Sequence, residues 1–312
     1  MSFDRLVTAP YRGRSAVELA AAPPDALMGV SAADADRLDQ SFGIRTVGEL
    51  ARLDAFGAAR AIESAASAPA FDPGPPATWA QRFAEAPLDA YLVRPDLFRV
   101  DFGPVYYRGR LDGTARLLVV GQDPSVNEIL AQRTFVGQSG QRLQGLLAKL
   151  GVTRSYLMLN TFLYSIFGQF GGDNAALSRQ DPILGYRNAL FDLAADHNPL
   201  EAVITVGAGA RDAVDRWPGA DGYRRVHILH PAFPDTERLL ADWNVALTAL
   251  AETVGPDDGA EPGSPYGDDI APDEVLPIPP ADLPFGLPPW HGTGDHGKRS
   301  GPTIIEWHSQ EV

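Results

Sequence analysis

Apolar, β-branched runs alternate with amphipathic helical stretches through the middle of the chain. The runs occupy residues 116–121 (RLLVVG), 156–162 (YLMLNTF), 202–207 (AVITVG) and 225–230 (RVHILH); helical spacing fills 141–150, 183–196, 208–217 and 236–253. Strands this continuously apolar are buried on both faces, and helices between them supply the crossovers of a parallel sheet. The pattern therefore predicts a three-layer α/β/α domain over residues 76–254, with a central, mostly parallel sheet of about four strands.

The flanks read differently. Within residues 1–75, Ala33, Ala35, Leu38 and Phe42 have helical spacing, a Gly43-Ile44-Arg45-Thr46 turn follows, and a second helix is expected around 47–53, together a small helical unit. The turn resembles helix-hairpin-helix modules, whose backbone N–H groups can hold a DNA phosphate; over so short a match a packing hairpin without ligand is the preferred reading. FDPGPPATWA reads as a linker. Residues 255–312, rich in Pro, Gly and Asp, read as an acidic disordered tail that could recruit a protein partner. Its end regains Ile304, Ile305 and Trp307, so a short docking strand is the alternative there.

Composition narrows the chemistry. The 312 residues include no cysteine, which excludes disulfides, iron-sulfur clusters, thiolate metal sites and a Cys nucleophile. No metal or cofactor is expected. Apolar stretches fall short of the roughly 20 residues that span a bilayer, and the first residues lack a secretory apolar run, so no membrane partner and a cytoplasmic location are expected. The net charge of −14 opposes phosphate binding. Residues 255–312, however, carry 2 basic and 11 acidic groups, whereas residues 76–254 carry 17 and 19 and are nearly neutral. Lys149 is the only lysine in that middle segment, so DNA contact would fall to arginines such as Arg108, Arg110, Arg133, Arg142, Arg179 and Arg224.

Parallel strands deliver their carboxyl ends to one edge, where open α/β sheets bind ligands. Three polar segments emerge there: Gly121-Gln122-Asp123-Pro124-Ser125, Asn160-Thr161, and His230-Pro231-Ala232-Phe233-Pro234. Singly, each has a bland explanation as turn, cap or structural histidine. Together they fit one acid/base cleft.

These segments resemble motifs of the uracil-DNA glycosylase superfamily. GQDPS is similar to the GQDPYH motif of its main branch, TFVGQSGQRLQGLL to the PFVGxAGxLLxxLL segment of its iron-sulfur branches, YLMLNTF to the LLLN or YITN strand, and HPAFP to HPS. Four motifs in order cover roughly residues 95–252. The resemblance implies that Asp123 orients the attacking water and stabilises the cationic sugar, that Gln122 shapes the pocket, and that Phe135 stacks on an extruded base. Asn160 would read that base's Watson-Crick edge and His230 would hold its O2 as negative charge builds. The implied activity is hydrolysis of the N-glycosidic bond of uracil, or a related C5-substituted pyrimidine, in DNA, initiating base excision repair by a monofunctional enzyme.

The chemistry suits these residue types. An oxocarbenium-like state favours a nearby carboxylate, a departing anionic base favours a preorganised donor, and an amide can distinguish uracil from cytosine. Ser139 and Gly140, at the start of the helix expected from about 141, could meet a phosphate, and Phe233 could act as an apolar wedge. Ser125 and Val126 replace the Tyr-His of the main branch, leaving room at the base C5 position, and Ala232 replaces the usual Ser. Rival readings are a serine hydrolase at GQSG, lacking the G-x-S-x-G elbow; a dinucleotide site at GAGAR, lacking the full glycine pattern; a glycosylase-fold binding protein without turnover; and a free-nucleoside hydrolase.

Overall fold

The computed structural model describes residues 3–53, 55, 56, 59, 62, 71–287, 297–299 and 305–307. They fall into two compact units, Met1–Ser67 and Ala68–Val312.

In the first unit, helices α1 (Ala16–Ala20), α2 (Ala32–Phe42) and α3 (Val47–Ala51) each begin with a reciprocal capping box, formed by Ser15 with Glu18, Ser31 with Asp34, and Thr46 with Glu49. Gly43 closes α2 in the left-handed region (φ 68°), and the Ile44 that follows is buried, as are Val7, Leu19 and Ala26. Of the residues with helical spacing, Leu38 is half-buried and Phe42 is exposed. The Glu49 carboxylate accepts from the backbone N–H groups of Arg45 (2.8 Å) and Thr46 (3.0 Å). Those donors are already taken by an anion of the protein's own, which favours the packing-hairpin reading.

The second unit is built on a sheet in the order β1-β3-β2-β4-β5: β1 (Tyr107–Gly109), β2 (Leu117–Gly121), β3 (Tyr156–Asn160), β4 (Ala202–Val206) and β5 (Arg224–Ile228). All neighbours are parallel except β1, which pairs antiparallel with β3. The sheet thus has five strands where the apolar pattern marks four. β1 is three residues long with Arg108 at its centre, so it has no apolar run to reveal it.

Both faces are covered. Leu117, Val119, Met158 and Ile204 pack against α7 (Gln138–Lys149) and α11 (Thr236–Ala251) through Leu143, Leu147, Trp243 and Leu247. The alternate residues Leu118, Val120, Leu157, Leu159 and Val203 face α4 (Ala77–Ala84), α9 (Ile183–His197) and α10 (Ala208–Asp215), meeting Trp79, Phe83, Phe191 and Val214. This period of two with both faces apolar explains the unbroken runs; each side chain so buried contributes about 1.5–3 kcal/mol. Shorter helices α5 (Leu88–Leu92), α6 (Val126–Ala131) and α8 (Gly172–Ser178) occupy the connections.

Two boundary expectations need correction. Asp72, in the expected linker, is buried and accepts from Arg133 Nε (2.8 Å) and Tyr107 Oη (3.1 Å). Residues 255–287 of the expected disordered tail are a strap packed on the domain. Asp257 accepts from the backbone N–H groups of Thr153 and Arg154 and from Arg116, Tyr266 packs on Trp243, Glu274 pairs with Lys149 at 2.6 Å, and Ile278 and Leu283 join a cluster with Ala131 and Val136. Asp282 is wholly buried, bonding Arg110 and Tyr156. Three of the acidic residues that suggest a solvated tail, Asp257, Glu274 and Asp282, instead neutralise cations of the sheet domain. Beyond the strap, Gly297–Arg299 and Ile305–Trp307 pair as antiparallel strands β6 and β7; Ile304 lies outside the described residues.

Candidate active site

The carboxyl ends of β2 and β3 are tied together. Gly121 pairs in register with Asn160, the Gly121 carbonyl accepts from Thr161 N and Thr161 Oγ1 (both 2.9 Å), and the Gln122 carbonyl accepts from Phe162 N (2.9 Å). Gly121 is required by close approach: a Cβ there would lie 2.3 Å from Asn160 Oδ1 and 2.5 Å from Phe135 Cζ. Phe135 and Asn160 therefore share the space above the strand end. Phe135 sits in the left-handed region (φ 52°), unfavourable for an aromatic residue. Gly140 makes room for that conformation, because a Cβ at 140 would collide with the Phe135 carbonyl oxygen.

Gln122, Asp123, Ser125, Phe135, Ser139, Asn160, His230 and Phe233 all line one cleft of about 560 Å³ above these strand ends. Of the sequence-derived site residues only Gly140 is not on its wall; it is buried beneath Phe135. Ser139 differs in position from expectation, because α7 starts at Gln138 and so holds Ser139 inside its first turn. Phe233 is half-buried against the core with the Arg238 guanidinium 5.4 Å above its ring, a supported side chain rather than a free tip.

Asp123 is held at both oxygens. Oδ1 accepts from Gln122 Nε2 and Oδ2 from Ile166 N, each at 2.9 Å. Burial nevertheless pushes its pKa up to about 6, since desolvation outweighs those donors. It remains largely ionised at neutral pH. Across the cleft, His230 Nδ1 accepts from Ala232 N at 3.1 Å, and desolvation holds the ring's pKa below its ordinary value. A neutral imidazole that accepts at Nδ1 carries its proton at Nε2, so it is a donor. The His230 loop is anchored behind by Trp243 Nε1 to the Leu229 carbonyl (3.0 Å) and Arg142 Nη1 to the Pro231 carbonyl (2.7 Å).

Glu128, which the motif reading passed over, also lines the cleft. Its Oε2 accepts from Ser125 N (3.0 Å) and Ser125 Oγ, burial raises its pKa to about 7, and the neighbouring Asp123 charge adds to the rise. Its sequence signal was the Ser-x-x-Glu spacing of a capping box at the start of α6. Among the described residues, no cluster of three His, Asp or Glu side chains could hold a metal ion.

Residues 109–244 match the family model of the uracil DNA glycosylase superfamily. The chain carries a domain of that superfamily. No curated protein matches the chain. Membership supports glycosylase-type hydrolysis and a DNA substrate in general terms. No helix among the described residues is long and apolar enough to cross a membrane.

A DNA substrate makes the arginines matter, and most of those expected to meet it are engaged elsewhere. Arg108 is fully buried 3.7 Å from Asp282, and Arg110 pairs with the same carboxylate. Arg133 pairs with Asp72, Arg179 with Asp212 at 2.8 Å and Arg224 with Glu252 at 3.4 Å. Only Arg142 is placed at the cleft, through the His230 loop. The cysteine-free glycosylase domain therefore meets phosphate with few free cations.

Proposed function

We propose that the cleft hydrolyses the N-glycosidic bond of uracil, or of a C5-substituted uracil, in DNA. The observation that carries this is the convergence of the Asp123 carboxylate, the Asn160 amide, the Phe135 ring and the neutral His230 donor on one cleft at the strand ends.

A base extruded into the cleft would stack on Phe135 and offer its polar edge to Asn160, whose amide presents both a donor and an acceptor. As the bond from N1 to C1′ breaks, its electron pair leaves with the base, and His230 Nε2–H stabilises the growing charge on O2. Asp123 balances the positive sugar, and the water that bonds to C1′ gives its proton to that carboxylate. The Gln122 and Ile166 donors aim the carboxylate without protonating it. Ser125, turned to Glu128, presents no aromatic wall at C5, which is why substituted uracils belong in the proposal.

The test is release of base from labelled single- and double-stranded oligonucleotides containing one uracil or one 5-substituted uracil, with Asp123→Asn beside the wild type. Release by the wild type alone is the expected result; release undiminished in the variant, or none from any substrate, overturns the reading.

A further inference from the structure

The loop after β3 contributes Gly168, Gln169 and Phe170 to the cleft wall, and the residue before them, Phe167, is 44% exposed. The Arg99 guanidinium lies 4.4 Å over the Phe167 ring, a cation–π stack at the surface. Backbone pairing holds the two segments side by side: Arg99 N donates to the Ser165 carbonyl and Phe167 N to the Leu97 carbonyl, both at 2.8 Å, and Phe98 bridges Ile166 antiparallel. Ile166 is also the residue whose N–H holds Asp123. The stack is thus one residue from the donor that aims the carboxylate.

Arg99 is among the few arginines of the sheet domain without a close ion pair among the described residues. Arg94, Arg110, Arg116, Arg133 and Arg179 are all ion-paired, whereas Arg99 acts only at longer range on Asp123, whose carboxylate its charge favours. Arg238, on Phe233, makes none either. The strand order puts these two arginine-on-phenylalanine pairs at opposite sides of the cleft: one follows β3, the other follows β5, with the ends of β2 and β4 between. A chain of net charge −14 leaves cations unpaired here, beside exposed aromatic surface.

We infer that Arg99 and Phe167 form a second DNA-binding lip, in which Phe167 stacks on an unpaired base flanking the extruded nucleotide and Arg99 meets the adjoining phosphate. The inference rests on the glycosylase reading of the cleft and supplies what that reading lacked, an anchor for the strand on the β3 side. Stacking on an aromatic is tolerant of base identity and a guanidinium contact is salt-dependent, so the lip grips single-stranded or locally opened DNA without reading sequence.

The experiment is fluorescence anisotropy of the full chain with a labelled, uracil-free single-stranded oligonucleotide over a salt series. Variants are Phe167→Ala, Phe167→Tyr, Arg99→Gln and, as a control on an unpaired arginine at the opposite ends of the strands, Arg154→Gln. Loss of the ring should weaken binding about tenfold with Phe167→Tyr restoring it, and Arg99→Gln should flatten the plot of log affinity against log salt by about 0.7. Phe167→Ala and Arg99→Gln behaving like Arg154→Gln, or a wild type that binds no DNA, overturns the lip. Base release scored on the same proteins separates the two ideas: normal release with unaltered binding removes the lip alone, and altered binding with no release from any protein removes the glycosylase reading alone.

Discussion

Ile166 donates its backbone N–H to Asp123 Oδ2 at 2.9 Å, so the loop after β3 holds the acid that emerges from β2. With Gln122 on the other oxygen, the carboxylate is fixed before any substrate arrives. Preorganisation of this kind spares reorganisation at the moment charge develops.

Asp123→Asn keeps the shape but removes the charge, and its single amide oxygen can accept from only one of the two donors, Ile166 N or Gln122 Nε2. Base release should fall by about 10²–10³, the usual cost of losing one preorganised electrostatic partner. Circular dichroism should show an unchanged fold.

The same substitution tests the sign of the burial effect. A carboxyl whose folded pKa is raised to about 6 favours the folded state below its unfolded pKa near 3.8 and loses that contribution as pH rises through about 6. Asp123→Asn should therefore be more stable than wild type above pH 6, by up to about 3 kcal/mol, with the gap closing below pH 4. Thermal melts across pH measure it. Wild-type activity should rise through the same window around pH 6 as the carboxylate forms.

Glu128→Gln should retain the bond from Ser125 while removing the charge that Glu128 gains as pH rises through about 7. The acidic limb of the pH–rate profile near pH 6 should stay in place, because Glu128 is largely protonated while Asp123 ionises, and only the rate above pH 7 should change. A limb that moved would show that Glu128 is already charged when Asp123 titrates.

Gly121→Ala should abolish base release in a folded protein, because the new methyl drives Phe135 and Asn160 apart. Overpacking of this kind costs about 1–3 kcal/mol, so a lower melting temperature should accompany the loss.

Asp282→Ala should destabilise the sheet domain by about 3–5 kcal/mol, since it strands Arg108 and Arg110 without their shared carboxylate. A melting temperature that did not move would mean residues 255–287 contribute nothing to the fold.

The strands and long helices were legible because burial on two faces imposes unbroken apolar runs, and runs such as LLVVG and AVITV need only local reading. The candidate set was brought to one cleft for a related reason: Asp123 and His230 follow parallel strands and Asn160 ends one, and parallel strands end on one side. Local reading failed where meaning depends on a distant partner. The Asp and Pro of residues 255–287 look solvated until Asp257 is seen capping the start of β3 and Asp282 filling a buried cationic site. Arg108 and Arg110 look free for DNA until the same carboxylate claims them, and β1 is invisible because pairing with β3, rather than its own three residues, makes it a strand.

The sequence by itself thus determined the four parallel strands, the long helices between them and the polar residues at their ends, since periodicity is a property of short segments. Tertiary structure alone decided which of the arginines expected at DNA are neutralised, because the pairs of Arg108 and Arg110 with Asp282, Arg133 with Asp72 and Arg179 with Asp212 join residues far apart in sequence. It also decided that Glu128 stands on the cleft wall, that His230 presents Nε2–H, and that Arg99 on Phe167 is left unpaired at its lip, since solvation and hydrogen-bond partners exist only once the chain has closed around them.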